Sequence, residues 1–127
     1  GSRNPMHCVP SGKLFLSSLD ARRRRRLIRH LPLDRYTPGT ITDPTALEAE
    51  SERVRSAGFG TEVEEFVAGM VGIGVRIPLA DKRLFAAIGM HAPVSRLGLD
   101  AAIEHVPAMR RAAAELAELF EEGDVAA

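Results

Sequence analysis

The sequence predicts an α/β (α+β) fold in which helices flank an antiparallel sheet. Segments with helical spacing of apolar residues lie towards both ends of the chain, and three strand-like runs lie between residues 61 and 92. The chain has 127 residues, 45% of them hydrophobic, which is enough for one hydrophobic core. We therefore expect a single domain.

Composition disfavours several classes of protein. The 17 basic and 17 acidic residues give a net charge of zero, which argues against a chain that holds nucleic acid through bulk charge. No apolar run approaches the ~20 residues of a membrane span, and no signal peptide is evident. Cys8 is the one cysteine and has no partner for an internal disulfide, which is typical of a reducing compartment. These features predict a soluble cytoplasmic protein.

The first helix is predicted to begin at Pro10, within "NPMHCVPSGKLFL" (residues 4–16). Proline is tolerated at the first helical position because an N–H there would have no partner, and an apolar run starts at Leu14. The N–H groups of residues 11–13 are then expected to be free.

The Ser-Gly-Lys in this stretch looks like the end of a phosphate-binding loop, but its surroundings do not fit. Such a loop needs a glycine five residues before Gly12 and a Ser or Thr after Lys13. These two positions hold His7 and Leu14. Nucleotide binding is therefore disfavoured.

Five consecutive arginines, Arg22 to Arg26, follow Asp20, which is a predicted N-cap. Such runs occur in nucleic-acid-binding and nuclear-import segments. Five successive helical residues spread around more than a full turn, however, so we expect no single basic stripe. The sequence favours a solvated, partly salt-bridged helix. Its core-facing residues are predicted to be Leu27, Ile28 and Leu31.

The segment "YTPGTITDP" (residues 36–44) predicts a short extended connection because it is rich in turn formers. A helix is predicted from Thr45 to Ala57, capped by Asp43, with Pro44 at its first position and ended by Gly58. Its apolar spacing is marked by Leu47, Val54 and Ala57.

Three strands are predicted at "TEVEEF", "MVGIGVRIPL" and "LFAAIGMHA", which are residues 61–66, 70–79 and 84–92. The last two are expected to form a hairpin across "ADKR". A long helix is predicted from Leu99 to Glu122, with a kink at Pro107. Its apolar side is predicted to comprise Ile103, Val106, Met109, Ala113, Leu116 and Phe120.

The register of the hairpin can be counted from a turn centred on Asp81 and Lys82. The predicted pairs are Leu79 with Leu84, Val75 with Ile88, Gly74 with Gly89, and Gly72 with His91.

Alternation along these strands gives the hairpin two different faces. One is a predicted core formed by Val71, Ile73, Val75, Ile77, Ile88 and Met90. The other is dominated by small residues and consists of Gly72, Gly74, Arg76, Ala87, Gly89 and His91. Glycine weakens a strand unless something must approach the backbone closely. A ligand cavity and a tightly packed helix both meet that condition, and His91 is the polar group that a cavity would present.

Catalytic or metal chemistry would need partners for these side chains. Cys8 could form a thiol pair with His7 or His91, and His7, Cys8 and Glu62 could bind a metal. Neither C-x2-C nor H-E-x-x-H spacing is present. The sequence therefore predicts no enzyme, no metal site and no cofactor.

Four blocks in order carry a resemblance: "PMHCVPSGK", "YTPGTITDP", "RVRSAGFGTEVEEFVAGMVGIGVRIPL" and "LFAAIGMHAPVSRL". Together they resemble the C-terminal effector-binding domain of the IclR family of bacterial transcription regulators, over about Asn4 to Phe120. The resemblance implies a GAF-like sheet truncated at its N-terminus, with residues 4–122 as a partial effector-binding domain and 123–127 as a tail.

The resemblance also implies a role. A small organic acid would be the effector, and it would control a helix-turn-helix domain that is absent from this chain. DNA would be bound only through that missing domain, and the chain would form a homodimer or homotetramer. The effector's identity and the direction of regulation stay open. The alternative is an oligomerisation module whose pocket has closed, and a small enzyme ranks third.

The family's effector site can be carried over by position. Family members bind small oxo-acids with N–H groups at the start of the first helix, which here would come from Ser11 and Gly12, since Pro10 cannot donate. Glu62 stands where the family commonly has an aspartate. Cysteine and serine positions of the family are Gly72, Gly89 and His91 here, so the hairpin register and the resemblance converge. Because glycine enlarges the space, an acid bulkier than glyoxylate is expected, with an apolar wall from Leu14, Met70 and Met90.

Overall fold

The computed structural model describes residues 5–126, with side chains described for residues 5–122. Within this range it confirms the predicted fold class, a three-stranded antiparallel sheet with helices on both faces. The helices are α1 (Pro10–Ser18), α2 (Ala21–His30), α3 (Pro44–Ala57), α4 (Leu99–Ile103) and α5 (Val106–Ala126). The strands are β1 (Gly60–Val63), β2 (Met70–Arg76) and β3 (Ala87–Pro93), in the order β1-β2-β3.

The counted hairpin register is confirmed over the length of β3. Gly72 faces His91 and Gly74 faces Gly89. Alternation therefore sends neighbouring residues of β2 to opposite faces, as predicted.

Both strands of the hairpin stop short of the predicted turn: β2 ends earlier than predicted and β3 begins later. The ladder stops after Arg76, and the predicted pairing of Leu79 with Leu84 does not form. Pro78 explains the early end, because proline has no N–H to donate to a ladder.

β1 is also shorter than predicted. It ends at Val63, because Glu64 adopts a left-handed conformation with φ of 52° that turns the chain out of the strand. The carboxylate of Glu64 accepts a hydrogen bond from the N–H of Gly69 at 2.8 Å, which closes the turn into β2.

The main core lies between the sheet and helices α4 and α5. Its buried members are Val71, Ile73, Val75, Ile77, Leu79, Ala102, Val106, Ala113 and Ala117. On α5 the buried residues in the middle are alanines, which let the helix approach the sheet closely. Leu116 and Phe120, predicted on the buried side, are exposed instead.

The predicted kink at Pro107 is a break between two helices. α4 ends at Ile103 and α5 begins at Val106, so the proline lies in the first turn of α5. Proline is tolerated there, whereas in a continuous helix its ring would clash with the carbonyl of Ile103. α5 continues to Ala126, and the proposed tail of residues 123–127 stays a prediction.

The remaining helices pack on the opposite face of the sheet and on one another. Their shared core consists of Leu16, Ile28 and Leu47, with Leu27 and Leu31 packed against it. Both predicted N-caps are confirmed, since Asp20 accepts from Arg23 N–H and Asp43 from Ala46 N–H. α3 ends at Gly58, whose φ is 82°, as the sequence predicted. In the described residues no helix combines the length and apolar character needed to cross a membrane.

Candidate functional site

Three of the predicted site residues form a row across the sheet. Glu62 on β1 pairs with Gly72 on β2, which pairs with His91 on β3. Because directly paired residues share a face, all three point to the side on which α1 packs. The structure thus brings Glu62, Gly72 and His91 together.

The next row along the sheet consists of glycines, two of which are covered by α1. A Cβ atom on Gly60 would lie 2.7 Å from the carbonyl oxygen of Pro10, and one on Gly74 would lie 3.1 Å from Pro10 Cβ. Leu14 also contacts both positions. The packed-helix explanation is therefore correct for Gly60 and Gly74.

Gly72 has a different reason. A Cβ atom there would lie 2.8 Å from Cδ2 and 2.9 Å from Nε2 of His91, and 3.1 Å from Oε1 of Glu62. The missing side chain makes room for the imidazole ring. His91 is otherwise exposed, so one side of the ring rests on the sheet while the rest faces solvent.

Gly89 is the open member of the second row. It is exposed, and the atoms nearest to an added Cβ would be the carbonyl oxygen of Ile73 at 3.6 Å and His91 Cε1 at 3.8 Å. Both are ordinary contacts. We call the surface formed by Glu62, Gly72, Gly89 and His91 the sheet hollow.

The first turn of α1 packs over two glycines of the row beside the sheet hollow. Pro10 lies over Gly74, while Phe15 packs edge-on against Phe85 with ring centroids 5.3 Å apart. The guanidinium of Arg76 lies 5.1 Å from the centre of the same Phe85 ring. α1 therefore packs over the glycine row, which lies next to the row that contains Gly72. A helix N-terminus carries partial positive charge.

Ser11 and Gly12 occupy this first turn but differ in access. Ser11 is exposed, whereas Gly12 is buried against the backbone of Met6, whose carbonyl oxygen would lie 2.2 Å from a Cβ atom on residue 12. Packing alone therefore requires glycine at position 12. The N–H of Lys13, expected to be free, donates to the carbonyl of Val9 at 3.1 Å.

Glu62 is a buried carboxylate, 3% exposed, with one oxygen engaged locally. Its Oε2 accepts a hydrogen bond from the N–H of Glu65 at 2.9 Å. Its Oε1 lies beside Gly72, towards the sheet hollow. A carboxylate oxygen in this position accepts hydrogen bonds and favours a hydroxyl or N–H group as its partner.

Sequence reasoning missed the role of Lys13. Its side chain is 0% exposed, and its ammonium lies 2.6 Å from Glu50 Oε2 and 2.9 Å from each carboxylate oxygen of Glu65. It also donates to the carbonyl of Thr61 at 2.9 Å. This lysine is therefore not available to a phosphate. Its place on the buried side of α1, three residues after Pro10, was the signal that could have shown its burial.

The pKa values of the two carboxylates beside Lys13 are shifted in opposite directions. Burial raises the pKa of Glu65, and Lys13 offsets only part of the rise. Burial also raises the pKa of Glu50, but hydrogen bonds from Arg53 and Lys13 outweigh it, and the net shift is downward. Glu50 thus favours its charged form more than Glu65 does, and it is shared between Lys13 and Arg53.

His7 and Cys8 have structural surroundings. Nε2 of His7 lies 2.8 Å from the carbonyl oxygen of Asp34, so this nitrogen carries the proton. Burial, and then the charge of Glu65, raise the pKa of Cys8 to about 12, which keeps it a thiol at neutral pH. The described residues contain no cluster of metal-ligating side chains, so the imagined site of His7, Cys8 and Glu62 does not form.

The loop before α3 holds the turn that follows β1. The hydroxyl of Thr37 donates to the carbonyl of Glu64, and that of Thr40 donates to the carbonyl of Glu65 at 2.5 Å. Tyr36 packs edge-on against Phe66, with ring centroids 5.2 Å apart. These contacts fix the turn that carries Glu65 beside Lys13.

One residue of the expected apolar wall lies elsewhere. Met90 packs against the core beneath α4 and α5, because it alternates with Gly89 and His91. Met70 shares the face of Gly72, and Leu14 is buried against the glycine row.

The chain is similar to known proteins in both sequence and structure. The model of the family described as "Bacterial transcriptional regulator IclR C-terminal" matches residues 1–118. The chain is 38% identical over 120 residues to the probable transcriptional regulator SauR of Cupriavidus necator, covering 94% of this chain and 48% of that protein. It is 32% identical over 120 residues to the p-hydroxybenzoate hydroxylase transcriptional activator of Acinetobacter baylyi, covering 94% of this chain and 44% of that protein.

Solved structures show the same fold. The inducer-binding domain of a PobR double mutant from Acinetobacter, crystallised with 3-hydroxybenzoic acid, has a TM-score of 0.86 at 32% identity and covers 94% of this chain and 69% of that one. The C-terminal domain of Escherichia coli KdgR has a TM-score of 0.84 at 26% identity, covering 93% of this chain and 72% of that one.

The chain spans about half the length of the curated relatives it matches. Those relatives are named as transcriptional regulators, not as enzymes, which agrees with the sequence prediction. The predicted family is therefore confirmed: the chain belongs to the IclR family of bacterial transcriptional regulators and represents part of the C-terminal domain.

Proposed function

We propose that this chain senses a small organic acid in the sheet hollow and controls a helix-turn-helix domain outside the chain, in a cytoplasmic regulator. The observation that carries the proposal is the row of Glu62, Gly72 and His91, with the first turn of α1 packed over the adjacent glycine row. Residues of three strands thus share one face beside the start of a helix, whose partial positive charge favours an anion, and His91 is the exposed polar side chain among them.

The chemistry of the row favours a hydroxylated carboxylic acid. Glu62 carries a negative charge and repels a carboxylate, but its free oxygen can accept a hydrogen bond from a hydroxyl group. The carboxylate of the effector would then lie towards His91 and the first turn of α1, near Ser11. Nε2 and Cε1 of His91 border the space above Gly72 and Gly89. The similarity to a PobR domain crystallised with 3-hydroxybenzoic acid supports this class of effector.

Isothermal titration calorimetry with 3-hydroxybenzoate and benzoate tests the proposal. We expect 3-hydroxybenzoate to bind and benzoate, which lacks the hydroxyl group, to bind at least tenfold more weakly. His91→Ala should weaken 3-hydroxybenzoate by about 1–3 kcal/mol through loss of a charge-assisted hydrogen bond. His105→Ala is the matched control, because His105 is exposed in the turn between α4 and α5, outside the sheet hollow.

Gly89→Leu should block binding while leaving the fold intact, since an added Cβ meets only ordinary contacts there. Gly98→Leu is its control, because position 98 has no atom within 4 Å of an added Cβ. Unchanged affinity in Gly89→Leu and His91→Ala together would place any bound acid outside the sheet hollow.

A second candidate function is self-association without a ligand. Leu116, Leu119 and Phe120 are exposed on α5, and β3 has no partner on its outer edge within the described chain. We expect light scattering to report a dimer or tetramer. A monomer at about 100 µM would contradict this, since lasting interfaces persist at that concentration. A dimer that gives no heat with any carboxylate would favour this function over effector binding.

A further inference from the structure

α2 displays a basic surface that the effector site does not use. The helix contains six arginines and no acidic residue. Arg24 is buried at 1% exposure, donates to Glu48 at 2.8 Å, and also pairs with Glu52. Its burial fixes the rotation of α2 about its own axis and turns the neighbouring arginines outwards.

The run of five arginines is spread around a solvated, partly salt-bridged helix, as predicted, but together with Arg29 three of its members share one side of α2. Arg22, Arg25, Arg26 and Arg29 are all exposed, and their spacing of 3, 4 and 7 residues places them on one side of a helix. We call these four residues the arginine stripe. At 1.5 Å per residue the stripe is about 10.5 Å long.

The members of the stripe form no ion pair in the described part of the chain, and the nearby carboxylate of Glu48, which lines a hollow with Arg25 and Arg29, is paired with Arg24. Asp20 pairs with Arg23, while Glu48 and Glu52 pair with Arg24. No ion pair there involves a member of the arginine stripe. The net charge of zero is the sum of two oppositely charged parts of the sequence. Residues 1–60 include 11 basic and 6 acidic residues, whereas residues 61–127 include 6 basic and 11 acidic residues.

The basic surface also extends beyond α2. A surface hollow of about 400 Å³ is lined by Asp20, Arg22, Arg23 and Arg26. A second, of about 480 Å³, shares Asp20 and Arg23 and reaches Lys82 and Arg83 in the turn between β2 and β3. Arg83 pairs with Asp81, as Arg23 does with Asp20, so Lys82 and Arg76 are the cations of the second hollow that form no ion pair in the described residues. The basic surface thus continues beyond α2, which suits an extended polyanion better than a small ion.

We propose that the arginine stripe contacts the phosphodiester backbone of duplex DNA, independently of base sequence. One strand presents a phosphate about every 3.4 Å of helix axis, so a stripe of this length faces about three phosphates. Arginine binds phosphate through two parallel N–H···O bonds. The chain belongs to a family of transcriptional regulators, so duplex DNA is the polyanion that the full-length protein meets.

A protein partner fits this face less well. Protein interfaces usually depend on buried aromatic or aliphatic anchors at their centre. The outer face of α2 offers exposed arginines with Ala21 at its start, and the apolar residues Leu27 and Ile28 face the core. Specific reading of an operator would still belong to the helix-turn-helix domain, whereas the stripe would add affinity without sequence preference.

The test is fluorescence anisotropy of a labelled 20-base-pair duplex of shuffled sequence in 0.1 M salt, where the screening length is about 10 Å. The 127-residue chain should bind with a Kd in the range of about 10⁻⁶ to 10⁻⁴ M typical of non-specific contacts. The triple variant Arg22→Gln, Arg25→Gln, Arg29→Gln should bind at least tenfold more weakly. Its plot of log K against log salt should be flatter by about 2.7, which corresponds to three lost phosphate contacts.

The matched control is Arg55→Gln, Arg96→Gln, Arg111→Gln, which removes the same charge from exposed arginines outside α2. It should keep the affinity within about twofold, since those charges lie beyond α2 and are screened. Equal losses in the two triple variants would overturn the proposal, as would undetectable binding by the parent chain. Two results would instead assign the stripe to an acidic protein surface. One is displacement of the duplex by polyglutamate of equal charge, and the other is salt-sensitive self-association that only the stripe variant loses.

Discussion

Gly72 and His91 occupy facing positions on β2 and β3, and the imidazole of His91 fills the space that a side chain at position 72 would need. Gly72→Ala therefore forces the ring away from the sheet. Because His91 is otherwise exposed, we expect the free energy of unfolding to fall by only about 1 kcal/mol or less. Affinity for 3-hydroxybenzoate, measured by calorimetry, should fall at least tenfold.

Gly98→Ala serves as the control, since that position is open. The double variant Gly72→Ala, His91→Ala should bind only slightly more weakly than His91→Ala alone, because the ring is then absent and the methyl group meets only Oε1 of Glu62, at 3.1 Å. Additive losses would show that Gly72 acts on the effector directly.

Lys13 should be essential for stability despite its charge. Lys13→Met leaves Glu50 and Glu65 buried without their cation, and we expect a loss of about 3–5 kcal/mol in the free energy of unfolding by urea. The same substitution at Lys82, which is exposed, should change stability by about 0.5 kcal/mol or less. A loss below about 1 kcal/mol for Lys13→Met would mean that solvent reaches the two carboxylates.

The two carboxylates around Lys13 should give opposite pH dependence. The pKa of Glu65 is raised above its unfolded value of about 4.5, so the folded state binds this proton more tightly than the unfolded state does. The stability that Glu65 contributes is therefore present at low pH and lost as pH rises. The lowered pKa of Glu50 gives a contribution that is present above about 4.5 and lost as pH falls. Relative to the parent chain, Glu65→Gln should become more stable from pH 3.5 to 7, and Glu50→Gln less stable.

Urea unfolding of both variants at pH 3.5 and pH 7 measures this difference. Glu104→Gln, an exposed residue outside the cluster, supplies the baseline. Parallel pH profiles of stability for Glu50→Gln and Glu65→Gln would contradict the opposite pKa shifts of the two carboxylates.

Cys8 should be inert in the folded protein. With a pKa of about 12 and complete burial, it offers almost no thiolate at pH 8. A chromogenic disulfide reagent should react only at the rate of unfolding, whereas Ser18→Cys, at an exposed position of α1, should react at once. Rapid labelling of Cys8 under native conditions would revive the thiol-based alternative.

Gly12→Ala should be the most damaging of the glycine substitutions. The new methyl group would lie 2.2 Å from the carbonyl oxygen of Met6, a backbone atom that cannot move without displacing the chain before α1. We expect a loss of about 3 kcal/mol or more, against less than about 0.5 kcal/mol for Gly98→Ala. Thermal unfolding monitored by circular dichroism compares the two, and equal midpoints would show that the N-terminal segment relaxes freely.

The parts of the fold that the sequence predicted well are those fixed by local rules. The hairpin register follows from a short turn and a two-residue alternation, so Gly72 could be placed opposite His91 by counting. The helix boundaries around Asp20 and Asp43 follow from capping chemistry within four residues.

What could not be predicted depends on partners distant in the sequence. Lys13 meets Glu50 and Glu65 only after three elements have packed, and no local pattern states which acids will be near. Leu116 is exposed because the small residues Ala113 and Ala117 occupy the side of α5 that packs closest to the sheet. Which side of the helix is buried is thus decided by side-chain size and not by hydrophobicity alone. The same limit hid the arginine stripe, because nothing in five identical residues indicates which one is buried.

The burial of Arg24 therefore has a consequence for changes in the length of the arginine run. Counting back four residues from Ile28, an arginine still occupies the buried position if one member of the run is deleted, so the ion pairs with Glu48 and Glu52 can persist. The residue that takes the place of Arg22 is then Ala21, and the outer surface loses one charge. Because all residues of the run are identical, any of them can occupy the buried position. The length of the run can therefore change the exposed charge of α2 while one guanidinium still faces inwards.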